Sequence, residues 1–171
     1  MKWFLLGLAL VAILATLVVA HSNFRPLPNE AVADRVLIEK SARRLTLFRG
    51  PTALKSYKVA LGKEPVGAKI QEGDQRTPEG VYSIDYHKSD SDFHRALHIS
   101  YPNPEDVARA ANQGLDAGSL IMIHGLKNGS GWIGSFHRLH DWTAGCIAVT
   151  DTEIEEIFRA VPDGTPVEIR P

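Results

Sequence analysis

The sequence predicts a mainly β domain with helices inserted between its strands. Three observations lead there. Short apolar or alternating runs recur from Val36 onward, each bounded by turn residues. Two segments carry helix N-terminal signatures, Asn103-Pro104 and Thr150-Asp151-Thr152-Glu153. Long stretches between them are rich in glycine and proline, as surface loops are.

The first strands are expected at Val36-Leu37-Ile38 and, after a basic turn at Arg43-Arg44, at Leu45-Thr46-Leu47-Phe48. Tyr57, Val59 and Leu61 alternate with Lys58 and Ala60, the pattern of a half-buried strand. A loop runs from Gly62 to Gly80 and contains Thr77-Pro78-Glu79-Gly80, where Pro presets a turn. Strands follow over 81–86 and 96–101. The first helix opens at Asn103 and is expected to run to about Gly114. Leu120-Ile121-Met122-Ile123 reads as a buried strand ending at His124-Gly125. A Gly-rich loop with Gly129, Gly131 and Gly134 leads to Trp142, then Thr143-Ala144-Gly145-Cys146 and Ile147-Ala148-Val149. The second helix buries Ile154, Ile157, Phe158 and Val161 and ends at Pro162-Asp163-Gly164; Val167-Glu168-Ile169 closes the domain. Several short strands at this spacing fit a sandwich or barrel-like architecture.

The chain divides into three parts. Met1-Lys2 precedes an apolar run to Ala20, so residues 1–20 read as an export signal or a membrane anchor. Residues 21–33 hold two prolines without periodicity and read as a linker. Residues 34–170 form the domain, which is expected to work outside the cytoplasm, in the periplasm or cell envelope, touching membrane only through the N-terminal segment. A net charge of −1 without a basic stripe gives no footprint for nucleic acid. One cysteine in 171 residues excludes an internal disulfide, and a lone thiol in an exported domain invites a chemical explanation.

That explanation lies in His124 and Cys146. A residue at the end of a buried strand is held rigidly yet meets solvent. An imidazole there can take the proton of a thiol and return it to a leaving amine. Gly145 allows a tight turn before the cysteine, and the N–H groups of Gly145 and Cys146 are candidates to meet a developing oxyanion. The thiol is expected to have a depressed pKa beside its imidazole. Against this stand plainer readings: a small buried cysteine and a structural histidine. No metal is expected. His137 and His140 lie three apart and His94 and His98 four apart, but neither pair forms a H-E-x-x-H pattern and no cysteine pair supplies a zinc site. The glycines at 129, 131 and 134 do not join a strand to a helix as a nucleotide loop does.

Ile-His-Gly at 123–125, a spacer, and Thr-Ala-Gly-Cys-Ile at 143–147, with Thr-Pro-Glu-Gly-Val-Tyr at 77–82 upstream, resemble the L,D-transpeptidase (YkuD-type) catalytic domain. The resemblance runs from Asp34 to the C-terminus. Ala144 stands where that family often has His, Ala148 where it often has Arg or Asn, and the spacer is longer, which resembles a divergent murein-acting branch. The resemblance implies a mixed β-sandwich with the cysteine under a flap. It implies a peptidoglycan L,D-transpeptidase in which Cys146 attacks the bond between the third residue of a stem tetrapeptide and its terminal D-alanine. The thioester then passes to an amine, giving a 3–3 cross-link or an attached protein. Alternatives with the same residues are an L,D-carboxypeptidase, an amidase releasing protein from peptidoglycan, and a non-catalytic peptidoglycan-binding module. The partners implied are stem peptides and a wall-linked protein; no cofactor is implied. By the same resemblance His124 activates the thiol, its other ring nitrogen needs an orienting acceptor that in the family is often a backbone carbonyl, and Thr143 and Gly145 line the oxyanion side. Gly125, His98, Trp142, Trp132, Arg138 and Asp141 are candidates around the peptide groove.

Overall fold

The computed structural model describes residues 26–171. The apolar segment over 1–20 lies outside them; among the described residues no helix is long and apolar enough to cross a membrane. Among the described residues eight strands form one mixed sheet: β1 (Arg35–Glu39), β2 (Arg44–Arg49), β3 (Thr52–Lys58), β4 (Gly80–Ser91), β5 (His94–Ile99), β6 (Met122–His124), β7 (Ile147–Ala148) and β8 (Pro166–Arg170). Their spatial order is β3-β2-β1-β8-β4-β5-β6-β7. The twelve-residue β4 serves both halves: residues 80–83 pair with β8, and residues from Ile84 on pair with β5 across two register shifts. Such irregularities bend a strand and increase its twist.

The bend brings the two sheet edges together. After β3 the chain crosses to the far edge, where Ala60 exchanges two 2.9 Å backbone hydrogen bonds with Ala148 and Gly62 bridges Thr143. The result is a half-barrel around one core that includes Val36, Ile38, Leu45, Leu47, Leu61, Ile84, Leu97, Ile123, Ile147 and Val167. The strand expected at 57–61 is therefore offset. Its ladder covers 52–58, and residues 59–62 make the crossing. Thr52 to Lys55 are exposed or half-buried without alternation, so periodicity gives no sign of them.

Helix α1 (Pro104–Ala111) is capped as its sequence demands: the Asn103 side chain accepts from Asp106 N, and Asp106 accepts from Asn103 N. It ends at Ala111, earlier than expected, because Gln113 and Gly114 donate back only three residues, to Ala110 and Ala111. Helix α2 (Asp151–Ala160) has the Thr150–Glu153 capping box and packs on β5 and β6 through Ile154, Ile157 and Ala160. A kinked 3₁₀ segment, Gly131–Leu139, occupies the region expected as loop before Trp142; the kink is at Gly134, whose φ is 52°.

From residue 26 the expected linker is fixed to the domain. Leu27 N donates to Glu156 Oε1 at 2.8 Å, the Leu27 carbonyl accepts from Arg159, and Ala33 N donates to the Ala160 carbonyl at 2.7 Å. Leu27 and Ala33 are buried in the core. Two prolines and no periodicity hid this, because the fixing groups are backbone atoms meeting α2.

Candidate active site

β6 and β7 run parallel, with Ile123 beside Ile147 and His124 beside Ala148. One step back in that register Cys146 comes beside Met122. Strand pleating then puts Met122, His124, Cys146 and Ala148 on one face and Ile123 and Ile147 on the other, where both isoleucines are fully buried. His124 and Cys146 are thus diagonal neighbours on adjacent strands, their Cα atoms about 8 Å apart at ordinary strand spacing.

His124 is buried, and its Nδ1 donates to the Gly125 carbonyl at 2.7 Å. That bond fixes the tautomer and leaves Nε2 with a lone pair. Burial lowers the imidazole pKa, partly opposed by the Gly125 bond. Phe93 tilts over the ring at 4.6 Å and Trp142 meets it edge-on at 5.8 Å. Trp142 Nε1 also donates to His137 Nδ1 at 3.3 Å. His137 is buried, and its pKa falls to about 4, first through desolvation, then through Arg138 and His124.

Close packing requires glycine at 125. A Cβ there would meet Asp151 Oδ1 at 2.8 Å and Ile154 at 3.0 Å. Asp151 opens α2 and accepts from Leu126 N at 2.7 Å, so the helix start and the turn after His124 are locked together.

Cys146 is half-buried, and its Sγ lies 3.6 Å from the Leu120 carbonyl. The expected depression of its pKa is corrected here. Burial pushes the thiol up, opposed by a Met122 backbone hydrogen bond and by the positive charge of Lys69. His124, held neutral by its own burial, supplies no charge to reverse this. Leu120, expected in a buried strand, is instead exposed with φ 59°, and the strand begins at Met122.

Thr143 holds the turn before the cysteine. Its Oγ1 donates to the Cys146 carbonyl at 2.7 Å and accepts from Gly145 N at 3.1 Å. The Gly145 N–H, expected to face an oxyanion, donates here to Thr143 Oγ1. Asp141 is likewise engaged: Oδ1 accepts from Leu61 N at 2.8 Å and Oδ2 pairs with Arg43 at 2.8 Å. Arg138 pairs with Glu153 of the α2 cap. Both side chains tie the segment before Cys146 to the rest of the domain. Trp132 is exposed.

His98 shares the site's face of the sheet. It pairs with Met122 on one side and Tyr86 on the other. Its ring stacks on Tyr86 at 4.6 Å, and its Nδ1 lies 2.6 Å from Asp85 Oδ1. A row Tyr86–His98–Met122 therefore crosses β4, β5 and β6 toward Cys146, the residue just before β7. The sequence reading missed Phe93, Met122, Lys69 and Leu120 as neighbours of the pair. None carries a local motif; His137 did, but as a metal candidate. Among the described residues no three His, Cys, Asp or Glu side chains gather as a metal site.

The model of the L,D-transpeptidase catalytic domain (YkuD) matches residues 33–169. The chain belongs to this family. It is 33% identical over 110 residues to YafK of Escherichia coli, which bears the L,D-transpeptidase name; this covers 63% of the chain and 37% of YafK. It is 28% identical over 148 residues to YqjB of Bacillus subtilis, likewise named, covering 84% of the chain and 73% of that protein. The chain thus spans well under half of YafK. Among solved structures, the helical cell shape determining protein Pgp2 of Campylobacter jejuni superposes with TM-score 0.61 at 25% identity, over 82% of this chain and 48% of Pgp2. An L,D-transpeptidase of Mycobacterium smegmatis, at TM-score 0.53 and 13% identity over 81% of this chain and 59% of that one, shares the fold. The L,D-transpeptidase fold expected from the motifs is the one observed.

Proposed function

We propose that this domain is a peptidoglycan L,D-transpeptidase of the cell envelope, with Cys146 as nucleophile and His124 as general base. The observation that carries the reading is the His124 tautomer. The Gly125 carbonyl holds Nδ1–H, so Nε2 is the acceptor, on the sheet face that also carries Cys146.

In the proposed reaction Cys146 Sγ attacks the carbonyl of the third residue in a stem tetrapeptide while His124 Nε2 takes the thiol proton. Because the thiol is raised and the imidazole lowered, the resting pair is neutral, and proton transfer accompanies attack. The tetrahedral oxyanion is assigned to the Cys146 N–H, since Thr143 occupies that of Gly145. Collapse of the intermediate breaks the amide bond, His124 returns its proton to the nitrogen, and D-alanine leaves. A second stem's amine then attacks the thioester, His124 takes an amine proton, and the thiol is restored with a 3–3 cross-link. Water in place of the amine gives a tripeptide; a protein-linked residue in place of D-alanine gives release of that protein.

The test uses the full-length protein and Cys146→Ala, each incubated with tetrapeptide muropeptides and with protein-linked muropeptides and read by mass spectrometry. Cys146-dependent loss of D-alanine with dimer formation is expected. Cys146-dependent tripeptide without dimer assigns a carboxypeptidase, and release of linked protein assigns a detaching amidase. Identical products from both proteins overturn the nucleophile.

A further inference from the structure

An open cavity of about 350 Å³ lies between the 62–80 loop and the segment after α1, lined by Glu64, Ile70, Gln71, Asp74, Arg76, Gln113 and Leu115. The loop is a built element. Glu64 N donates to the Gln75 carbonyl at 3.1 Å across its two legs, and Glu72 N donates to the Asp116 carbonyl at 2.8 Å, joining loop to segment. Asp74 braces the interior by accepting from Ile70 N, Gln71 N and Arg76 N and pairing with Lys69 at 2.7 Å. Its charge is answered within the loop.

The cavity adjoins the nucleophile. The Arg76 carbonyl packs on Gly145, and Gly62 lies between Gln75 and Gly145. Lys69, in the same loop, is close enough to Cys146 to favour its thiolate. Among the described residues the side chains of Arg76 and Glu64 have no hydrogen-bond or ion-pair partner, with each other or with anything else. A guanidinium and a carboxylate that share a cavity wall without neutralising one another present one positive and one negative pole. Ile70 and Leu115 give an apolar stretch between the polar amides of Gln71 and Gln113. The volume is that of a small-molecule site.

We infer that this cavity binds the zwitterionic head of an α-amino acid, its carboxylate on Arg76 and its ammonium on Glu64, with the alkyl chain along Ile70 and Leu115. A planar guanidinium suits a carboxylate with two parallel hydrogen bonds. Under the proposed function two species carry this head beside Cys146: the amine-bearing end of a diamino acid in a second stem, and free D-alanine.

The inference rests on that function for its ligand, so the test reads binding without chemistry. Full-length Cys146→Ala is titrated with meso-diaminopimelate, D-alanine and propionate, and amide chemical shifts are followed by NMR. Expected are shifts at residues 64–76 and 113–115 with both zwitterions. Arg76→Gln and Glu64→Gln each raise Kd at least fivefold, Arg76→Lys raises it less, and propionate binds at least fivefold more weakly. Tighter binding of diaminopimelate assigns the cavity to the acceptor end; tighter binding of D-alanine assigns it to the leaving amino acid. Shifts absent from this cavity, or affinity unchanged by both substitutions in proteins with native spectra, overturn the inference. So does propionate binding equal to D-alanine, which leaves an anion site only. If the cavity fails while Cys146-dependent products persist, only this inference falls; if zwitterions bind but no Cys146-dependent product forms, only the reaction falls.

Discussion

The carbonyl oxygen of Arg76 lies 2.7 Å from the point where a Cβ on Gly145 would sit, so the 62–80 loop and the residue before the nucleophile are packed with no side chain between them. The contact explains why a glycine precedes Cys146: Gly145 also has φ 133°, a region that side chains avoid. It further explains how a loop distant in sequence can bear on the thiol, since Lys69 and Arg76 belong to it.

Gly145→Ala is expected to destabilise the domain by about 2–4 kcal/mol, from backbone strain and from overpacking against the Arg76 carbonyl. Urea unfolding measures it. A midpoint shift under about 0.5 kcal/mol means that the loop is not packed on Gly145 as described.

The neutral resting state of the proposed pair sets a pH profile. His124 is lowered, so acid should not reduce kcat/KM until the pH is well below the ordinary histidine value near 6.5. Cys146 is raised, so its alkylation by iodoacetamide should accelerate with a midpoint above about 8.5. Lys69→Met, by removing a positive charge, should move that midpoint higher. His124→Gln should lower kcat/KM by about 10²–10⁴-fold. A thiol midpoint below about 7 in the wild type contradicts the burial argument.

His137 gives a stability signature. Its folded pKa is about 4, below the ordinary value near 6.5 for an unfolded chain. Between these values the unfolded chain binds more protons, so the stabilisation is fully present above about pH 6.5 and is lost as pH falls toward about 4. His137→Gln should therefore lose less stability than the wild type between about pH 7 and 4.5, by on the order of 2 kcal/mol. Urea midpoints at the two pH values measure the difference; equal losses in both proteins refute it.

Most of the fold was legible because its signals are local. The Asn103 and Thr150 caps, the alternation at 81–86 and the apolar run before His124 each act within a few residues. What escaped depends on distant groups. The crossing at Ala60 is visible only once Ala148 is beside it, and the packing of Leu27 needs Glu156 of α2. At the site, the motifs pointed to His124 and Cys146, but their electrostatics did not follow from the motif. The burial that raises the thiol comes from the assembled sheet, and the charge opposing it comes from Lys69, which no pattern marks. The Thr143 hydroxyl closes a local turn and accepts from the Gly145 N–H, two bonds that the motif does not mark.

Asp141 shows how much of the site's shape depends on one side chain two positions from Thr143. Oδ1 satisfies Leu61 N, and Leu61 is fully buried; Oδ2 pairs with Arg43, whose side chain is 41% exposed. The two bonds should differ in worth. Removing a partly exposed guanidinium costs little, so Arg43→Ala should destabilise by less than about 1 kcal/mol. Asp141→Ala leaves Leu61 N without its acceptor where the β3 extension meets the 143–148 segment, and should cost about 1–3 kcal/mol. It should also loosen Thr143, whose own N–H bonds the Leu61 carbonyl at 3.1 Å. Amide exchange of Leu61 and Thr143 should therefore quicken in Asp141→Ala and stay near wild type in Arg43→Ala. Equal effects of the two substitutions on stability and exchange place the weight on the ion pair rather than on the Leu61 bond.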